Sequence, residues 1–235
     1  MESAGIRIGR DKFFDILRYN GYLIEKKKNY MRTTNSNHWF RKYKNLIQGL
    51  DISRKEQVWV SDITYIMTNM GYCYLSLITD AYSKKVVGYH LGSSLEAQNS
   101  IEALKMAIKS RKTKENLIHH SDRGIQYCSK DYVKMLNKDG IQISMAESES
   151  PYDNAIAERV NGILKNELLI DKSSSNITEA KAHLKQAIEI YNNRRPHLSC
   201  EMLTPNAAHN TKESFKRMWK TYPRHISNII NDLDC

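Results

Sequence analysis

No apolar stretch in this chain approaches the ~20 residues needed to cross a bilayer, and its opening, MESAGIRIGRDK, lacks the hydrophobic region of a secretion signal. Both absences lead us to expect a cytoplasmic protein. Its four cysteines, Cys73, Cys128, Cys200 and Cys235, form no C-x-x-C pair, which fits reduced thiols rather than a disulfide framework. The adjacent His119 and His120 have no Cys or His pair at finger-like spacing, which argues against a zinc site. Ten glycines and four prolines in 235 residues are too few for a collagen-like or low-complexity chain. There is no internal repeat.

What is present is a normal complement for a folding chain, 40% hydrophobic and 26% charged. Thirty-six Lys and Arg against 26 Asp and Glu leave a formal net charge of +10. Such a surplus attracts polyanions, so nucleic acid is the expected partner, a protein that is merely basic being the alternative.

Periodicity divides the chain. A helix is predicted from Arg10 to Tyr19, ended by Gly21. The stretch EKKKNYMRTTNSNHWFRKYKN then interleaves bases with Tyr30, Trp39, Phe40 and Tyr43, as either a phosphate-tracking arm or a solvated linker. From Gln57 three short strands, VWVSDITYI, YCYLSLITD and KVVGYHL, are joined by turn signals at 69–71 and 81–84. A helix near 95–110, a strand at 117–120, a helix near 130–138 and a strand at 142–144 follow. The expected fold class is α/β, a mixed five-stranded sheet flanked by helices, with helices at 151–170, 178–192 and after Pro205. The expected organisation is an N-terminal region and basic linker to 50, a core over 51–212 and a basic tail over 213–235.

Three carboxylates occupy unusual positions. Alternation puts Asp62 on the strand face of Val58, Val60 and Ile66, where a charge needs a salt bridge, a hydrogen-bond network or a metal. Asp122 ends the strand Leu117–His120 ahead of Arg123 and Gly124; ligand sites gather at such ends, and a turn-forming Asp is the plainer account. Glu158 lies on a helix whose start is expected at Ser150, Pro151 and Asp153. There Ile156, Val160, Ile163 and Leu164 form an apolar stripe, with Asn154, Glu158, Asn161 and Lys165 on the opposite side. That side is either a solvated face or a ligand strip beside DNA phosphates. Two acids on strands and one on a helix could converge on a pair of Mg²⁺ or Mn²⁺ ions, which favour hard oxygen ligands. Asp80, Asp153, Glu147 and Glu149 compete, the first as a hairpin residue, the second as a cap and the last two as loop acids.

The motifs WVSDITYI, HSDRGIQY, YDNAIAERVNGILKNEL and YNNRRPHLSCEMLTP resemble those of bacterial insertion-sequence transposases of the second-reading-frame type. In these proteins a catalytic core similar to retroviral integrases carries a DDE acid triad. Thirty-five residues separate Asp122 from Glu158, and Lys165 lies seven beyond it, as in that family. The resemblance extends from about Gly5 to the Pro205 region. It implies an RNase H-like fold, strand cleavage by activated water, then attack by the freed 3′-hydroxyl on another phosphodiester. Carried over residue by residue, Asp62, Asp122 and Glu158 are the catalytic metal ligands for two Mg²⁺ or Mn²⁺, and Lys165 is a DNA contact. Asn154, Asn161, Arg194 and Arg195 are candidate DNA-binding residues; Tyr191, Asn192 and Pro196 share a signature with the two arginines that suits DNA contact or structural support. The implied partners are the terminal inverted repeats, target DNA, further copies of the chain and the product of an upstream reading frame, in association with the nucleoid.

Two segments depart from the family pattern. GIRIGRDKFFDILRYNGYLI resembles only the later half of the family's helix-turn-helix-like region, which suggests a truncated copy, an alternative start or a frame joined by frameshifting. ESESPY replaces an expected Gly- and Asn-rich loop. The competing functions are a plain RNase H-like nuclease that stops after hydrolysis, and a copy that binds DNA without cutting it.

Overall fold

The computed structural model describes residues 8–23, 38–147, 154–168, 170, 174–211 and 215. The expected helix start at Ser150, Pro151 and Asp153, the acid Glu149, Tyr30 with most of the basic run, and nearly all of the basic tail lie outside these residues.

Helix α1 (Arg10–Tyr19) buries none of its side chains. It ends where Gly21 takes φ +68°, a left-handed conformation that glycine adopts without steric cost. Strands β1 (Val58–Thr68), β2 (Gly71–Asp80) and β3 (Val86–Gly92) form an antiparallel meander; β4 (Ile118–Ser121) and β5 (Gln142–Met145) add in parallel, giving the order β3-β2-β1-β4-β5. Parallel pairing needs a crossover. It is made by α2 (Ala97–Ser110) between β3 and β4, and by α3 (Ile125–Cys128) and α4 (Lys130–Lys138) between β4 and β5. Beyond β5 come α5 (Ala155–Asn166), α6 (Ile177–Asn193), a 3₁₀ turn (Leu198–Cys200) and α7 (Pro205–Asn210).

Both faces of the sheet are covered. On one, Trp59, Ile63, Ile78 and Val87 pack with Ile101 and Leu104 of α2 and Tyr132 and Leu136 of α4. On the other, Ile66, Leu75, Leu77 and Val86 pack with Val160, Ile163 and Leu164 of α5 and Leu184 and Tyr191 of α6. This is why β1 is apolar at both parities: it is the central strand, and each face needs its own row. Backbone approaches closely at Gly88, where an added Cβ would lie 2.3 Å from the Ala103 carbonyl oxygen and 2.9 Å from Ala107 Cβ; only a residue without a side chain lets α2 lie there.

Residues 38–50 lie against the core. Phe40 and Tyr43 pack on the first cluster, Ile47 on a third with Val58, Val60 and Ala157, and Lys44 O accepts a hydrogen bond from Met145 N at 3.3 Å. Among the described residues no helix is long and apolar enough to cross a membrane.

Candidate active site

Asp62 sits midway along β1 on the face covered by α5. The parallel register pairs Val58 with Ile118 and Val60 with His120, so two residues further on Asp62 and Asp122 stand on neighbouring strands. Asp122 leaves the end of β4 as a half-buried side chain, and its Oδ1 accepts the Gly124 N–H at 2.9 Å. A Cβ at Gly124 would come within 2.9 Å of that same oxygen, so a side chain there would displace the carboxylate, while the φ of −62° is open to any residue.

Glu158 projects from the first turn of α5 and is exposed. Its negative charge and that of Asp122 both raise the Asp62 carboxyl, whose pKa stands at about 7 chiefly because of burial, with a hydrogen bond from Asn161 opposing. The three acids thus act within one electrostatic site. Among the described residues no three His, Cys, Asp or Glu side chains form a ready group for one metal ion. The donor set nevertheless fits a divalent cation: hard carboxylate oxygens from three segments, one of them a partly buried carboxylate whose charge its neighbours disfavour.

The structure revises the side of α5 that carries the amides. Asn154 and Asn161 are buried, at 8% and 5% exposure, not on a solvated face. Asn161 Nδ2 donates to Asp62 Oδ2 at 2.7 Å, and Asn154 Nδ2 donates to the Ser61 carbonyl at 3.1 Å. The reason is periodic. Ala157, Asn161 and Leu164 fall at i, i+4 and i+7 and are all buried; counting Ala157 as an apolar position would have rotated the stripe to include Asn161. Lys165 lies with Nζ 3.9 Å from the centre of the Tyr65 ring and 3.4 Å from Thr64 Oγ1, directed along β1 by a cation–π contact.

Arg194 is exposed just beyond α6. Arg195 Nε pairs with Glu167 at 2.6 Å, which ties the end of α6 to the end of α5. Tyr191 and Asn192 hold the sheet: Tyr191 Oη donates to Lys84 O at 2.8 Å, while Asn192 accepts from Val86 N and donates to Val86 O, each at 3.0 Å. Asp80 closes the β2–β3 turn by accepting from Ser83 N and Oγ at 2.8 and 2.7 Å and from Glu56 N at 2.7 Å. Glu147 is exposed.

His119 and His120 are interior residues. His119 Nε2 lies 2.7 Å from Ser61 Oγ and 2.9 Å from Tyr132 Oη, and burial pushes its pKa down to about 3, so it is a neutral ring held between these hydroxyls. His120 Nδ1 meets Ser144 Oγ at 2.8 Å. A groove of about 400 Å³ between α2 and α4, lined by Lys105, Ile108, Lys134 and Met135 among others, contains none of the three acids.

A mixed sheet in the order β3-β2-β1-β4-β5 with acids on β1, after β4 and on the helix following β5 defines an RNase H-like nucleic-acid-processing core. The integrase core domain family matches residues 53–151 and, in a second model, residues 139–205. The chain is 37% identical over 205 residues to the insertion element IS600 uncharacterized 31 kDa protein of Shigella sonnei, covering 86% of this chain and 75% of that one. It is 32% identical to the transposase for IS629 of the same organism, over 81% and 64% of the two chains. With transposase InsF for IS3A of Escherichia coli (strain K12) it shares 36% identity over 70% of this chain and 58% of that one. The chain therefore belongs to the insertion-sequence transposases with an integrase core, enzymes of the polynucleotidyl transferase type. It spans between about three fifths and three quarters of these relatives. Among solved structures, the integrase catalytic core domain of HTLV-2 in complex with magnesium superposes with a TM-score of 0.54 at 19% identity, over 66% of this chain and 97% of that one. A simian T-cell lymphotropic virus intasome chain gives 0.60 at 20% identity, over 82% and 66%; both likenesses are of fold.

Proposed function

We propose that this chain cuts the ends of an insertion sequence and joins them to new DNA at one site, with Asp62, Asp122 and Glu158 holding two Mg²⁺ or Mn²⁺ ions. The observation that carries the reading is the partly buried Asp62 carboxyl, raised by both other acids and fixed by Asn161. When bound, such ions lower the pKa of an attacking hydroxyl and stabilise the leaving oxygen of an in-line displacement. Asn161 orients the Asp62 oxygen and Gly124 N–H the Asp122 oxygen, so two ligands are preorganised. Lys165 of α5, lying against Tyr65 and Thr64 of β1, supplies a cation for a DNA phosphate, with exposed Arg194 a second. Water attacks phosphorus first, breaking the bond to the 3′ oxygen; the freed 3′-hydroxyl then attacks a second phosphodiester and displaces its 3′ oxygen. Terminal inverted repeats and target DNA are the substrates. Holding two ends together calls for more than one copy, and the product of an upstream reading frame is a further partner. The working place is the cytoplasm, at the nucleoid.

The test is the purified chain with a labelled duplex of its element's end and with Mg²⁺, Mn²⁺ or chelator. Joined products that vanish with chelator and in Glu158→Ala are the expected result. Cut but never joined DNA would instead indicate a hydrolytic nuclease, and tight binding with no cutting under any metal would remove the reading.

A further inference from the structure

The strap at 38–45 carries a large apolar side chain that the fold does not bury. Trp39 is 82% exposed, yet it is held firmly from below: its ring stacks on Phe40 with centroids 4.4 Å apart and planes at 26°, and Phe40 packs on the main core. Backbone and side-chain bonds fix the strap on both sides of this pair. The His38 ring meets Arg123 O at 2.8 Å, one residue beyond Asp122, Lys44 O accepts from Met145 N, and Leu46 N donates to Ser144 Oγ at 2.8 Å.

The strap's own charge is of one sign. His38 to Lys44 reads HWFRKYK, with Arg41, Lys42 and Lys44 exposed and no acid, and Arg41 lies 5.1 Å from the Tyr43 ring centre. Lys42 and Arg123 both act electrostatically on Cys128, as does Asp122, so the strap's cations and the acid share one neighbourhood. A rigid, solvent-facing π surface among cations suits a nucleobase flanked by phosphates. A purely apolar protein partner would give the three exposed cations of the strap no role. Because a paired base within a duplex hides its faces, the ligand must be an unpaired nucleotide.

We infer that Trp39 is a stacking platform for an unpaired base of the DNA engaged at Asp122, its phosphates met by Arg41, Lys42 and Lys44. This rests on the proposed function in requiring DNA at the acids, and adds that the strand entering the site is opened there.

The experiment measures binding in chelator, so that no chemistry intervenes, by fluorescence anisotropy of a labelled mixed-sequence duplex with a short single-stranded overhang and of its blunt counterpart. Wild type, Trp39→Ala and Trp39→Phe are compared. Stacking on one base corresponds to about tenfold or more in affinity. Trp39→Ala should lose that on the overhang duplex and less than about twofold on the blunt one, with Trp39→Phe recovering most of it. 2-Aminopurine in the overhang should be quenched by wild type and not by Trp39→Ala. Equal affinities and quenching for wild type and Trp39→Ala would overturn the inference while leaving the proposed function standing. A wild type that binds neither duplex would remove both.

Discussion

Asp62 is held in the fold at a cost, and that cost can be measured. Its carboxyl titrates at about 7 in the folded chain against an ordinary value of 3.8, so the fold favours the protonated form. The resulting penalty is absent below pH about 4, grows as pH rises from about 4 to about 7 and is complete above that, on the order of 4 kcal/mol. Asp62→Asn should therefore raise Tm by several degrees in chelator at pH about 8 and leave it unchanged near pH 4; thermal melts at the two pH values check this, and equal shifts would refute the cause assigned. Mg²⁺ should raise the Tm of wild type and not of the variant. For the reaction, Ala at Asp62, Asp122 or Glu158 should abolish cutting with DNA affinity mostly intact, and residual cutting in all three would exclude the triad. Loss of the Asn161 hydrogen bond in Asn161→Ala should raise the Mg²⁺ concentration needed for half-activity by about 10–100-fold, read from a metal titration of cutting, while saturating metal restores much of the rate.

At the scale of elements, packing tolerances decide what a change does. Gly88 faces backbone, the Ala103 carbonyl oxygen 2.3 Å from a built Cβ, so Gly88→Ala cannot be relieved by a rotamer and must move α2. A loss of about 3 kcal/mol or more is expected in urea unfolding. Gly124→Ala meets a side chain instead, the Asp122 carboxylate. It should leave stability nearly unchanged and reduce cutting at least tenfold, a separation that melting and activity assays resolve together. The segment from Tyr191 to Asn192 braces the β2–β3 turn through Lys84 O and Val86, so Asn192→Ala, which leaves the buried Val86 N–H unpaired, should cost about 1–3 kcal/mol.

Over the whole molecule, the surplus of +10 makes DNA capture salt-dependent. Removing one phosphate contact in Lys165→Ala should lower the slope of log affinity against log salt by about 0.9; an unchanged slope would mean that Lys165 serves the Tyr65 contact alone. The acids open onto the surface and not into the groove between α2 and α4, as a site for a long polymer requires.

What the sequence determined by itself was local and periodic. Strand alternation and helix spacing placed the five strands, and α1 and α4 at their observed bounds, because each is set by residues a few positions apart. The three acids were legible as carboxylates at strand and helix positions where an unpaired charge is costly. Only the tertiary structure decided what stands opposite them. The 99 residues between Asp62 and Asn161 close through the β1–α5 packing, which no local period reports, and one uncounted alanine, Ala157, sufficed to assign both amides to the wrong side of the helix. The four-residue α3 and the turn at Leu198–Cys200 were likewise invisible, being too short to show a period, and the signature around Asn192 acquires its role at the Val86 backbone only once α6 lies beside β3. Side-chain chemistry is written along the chain; the partner each group faces is fixed by contacts that the fold alone brings together.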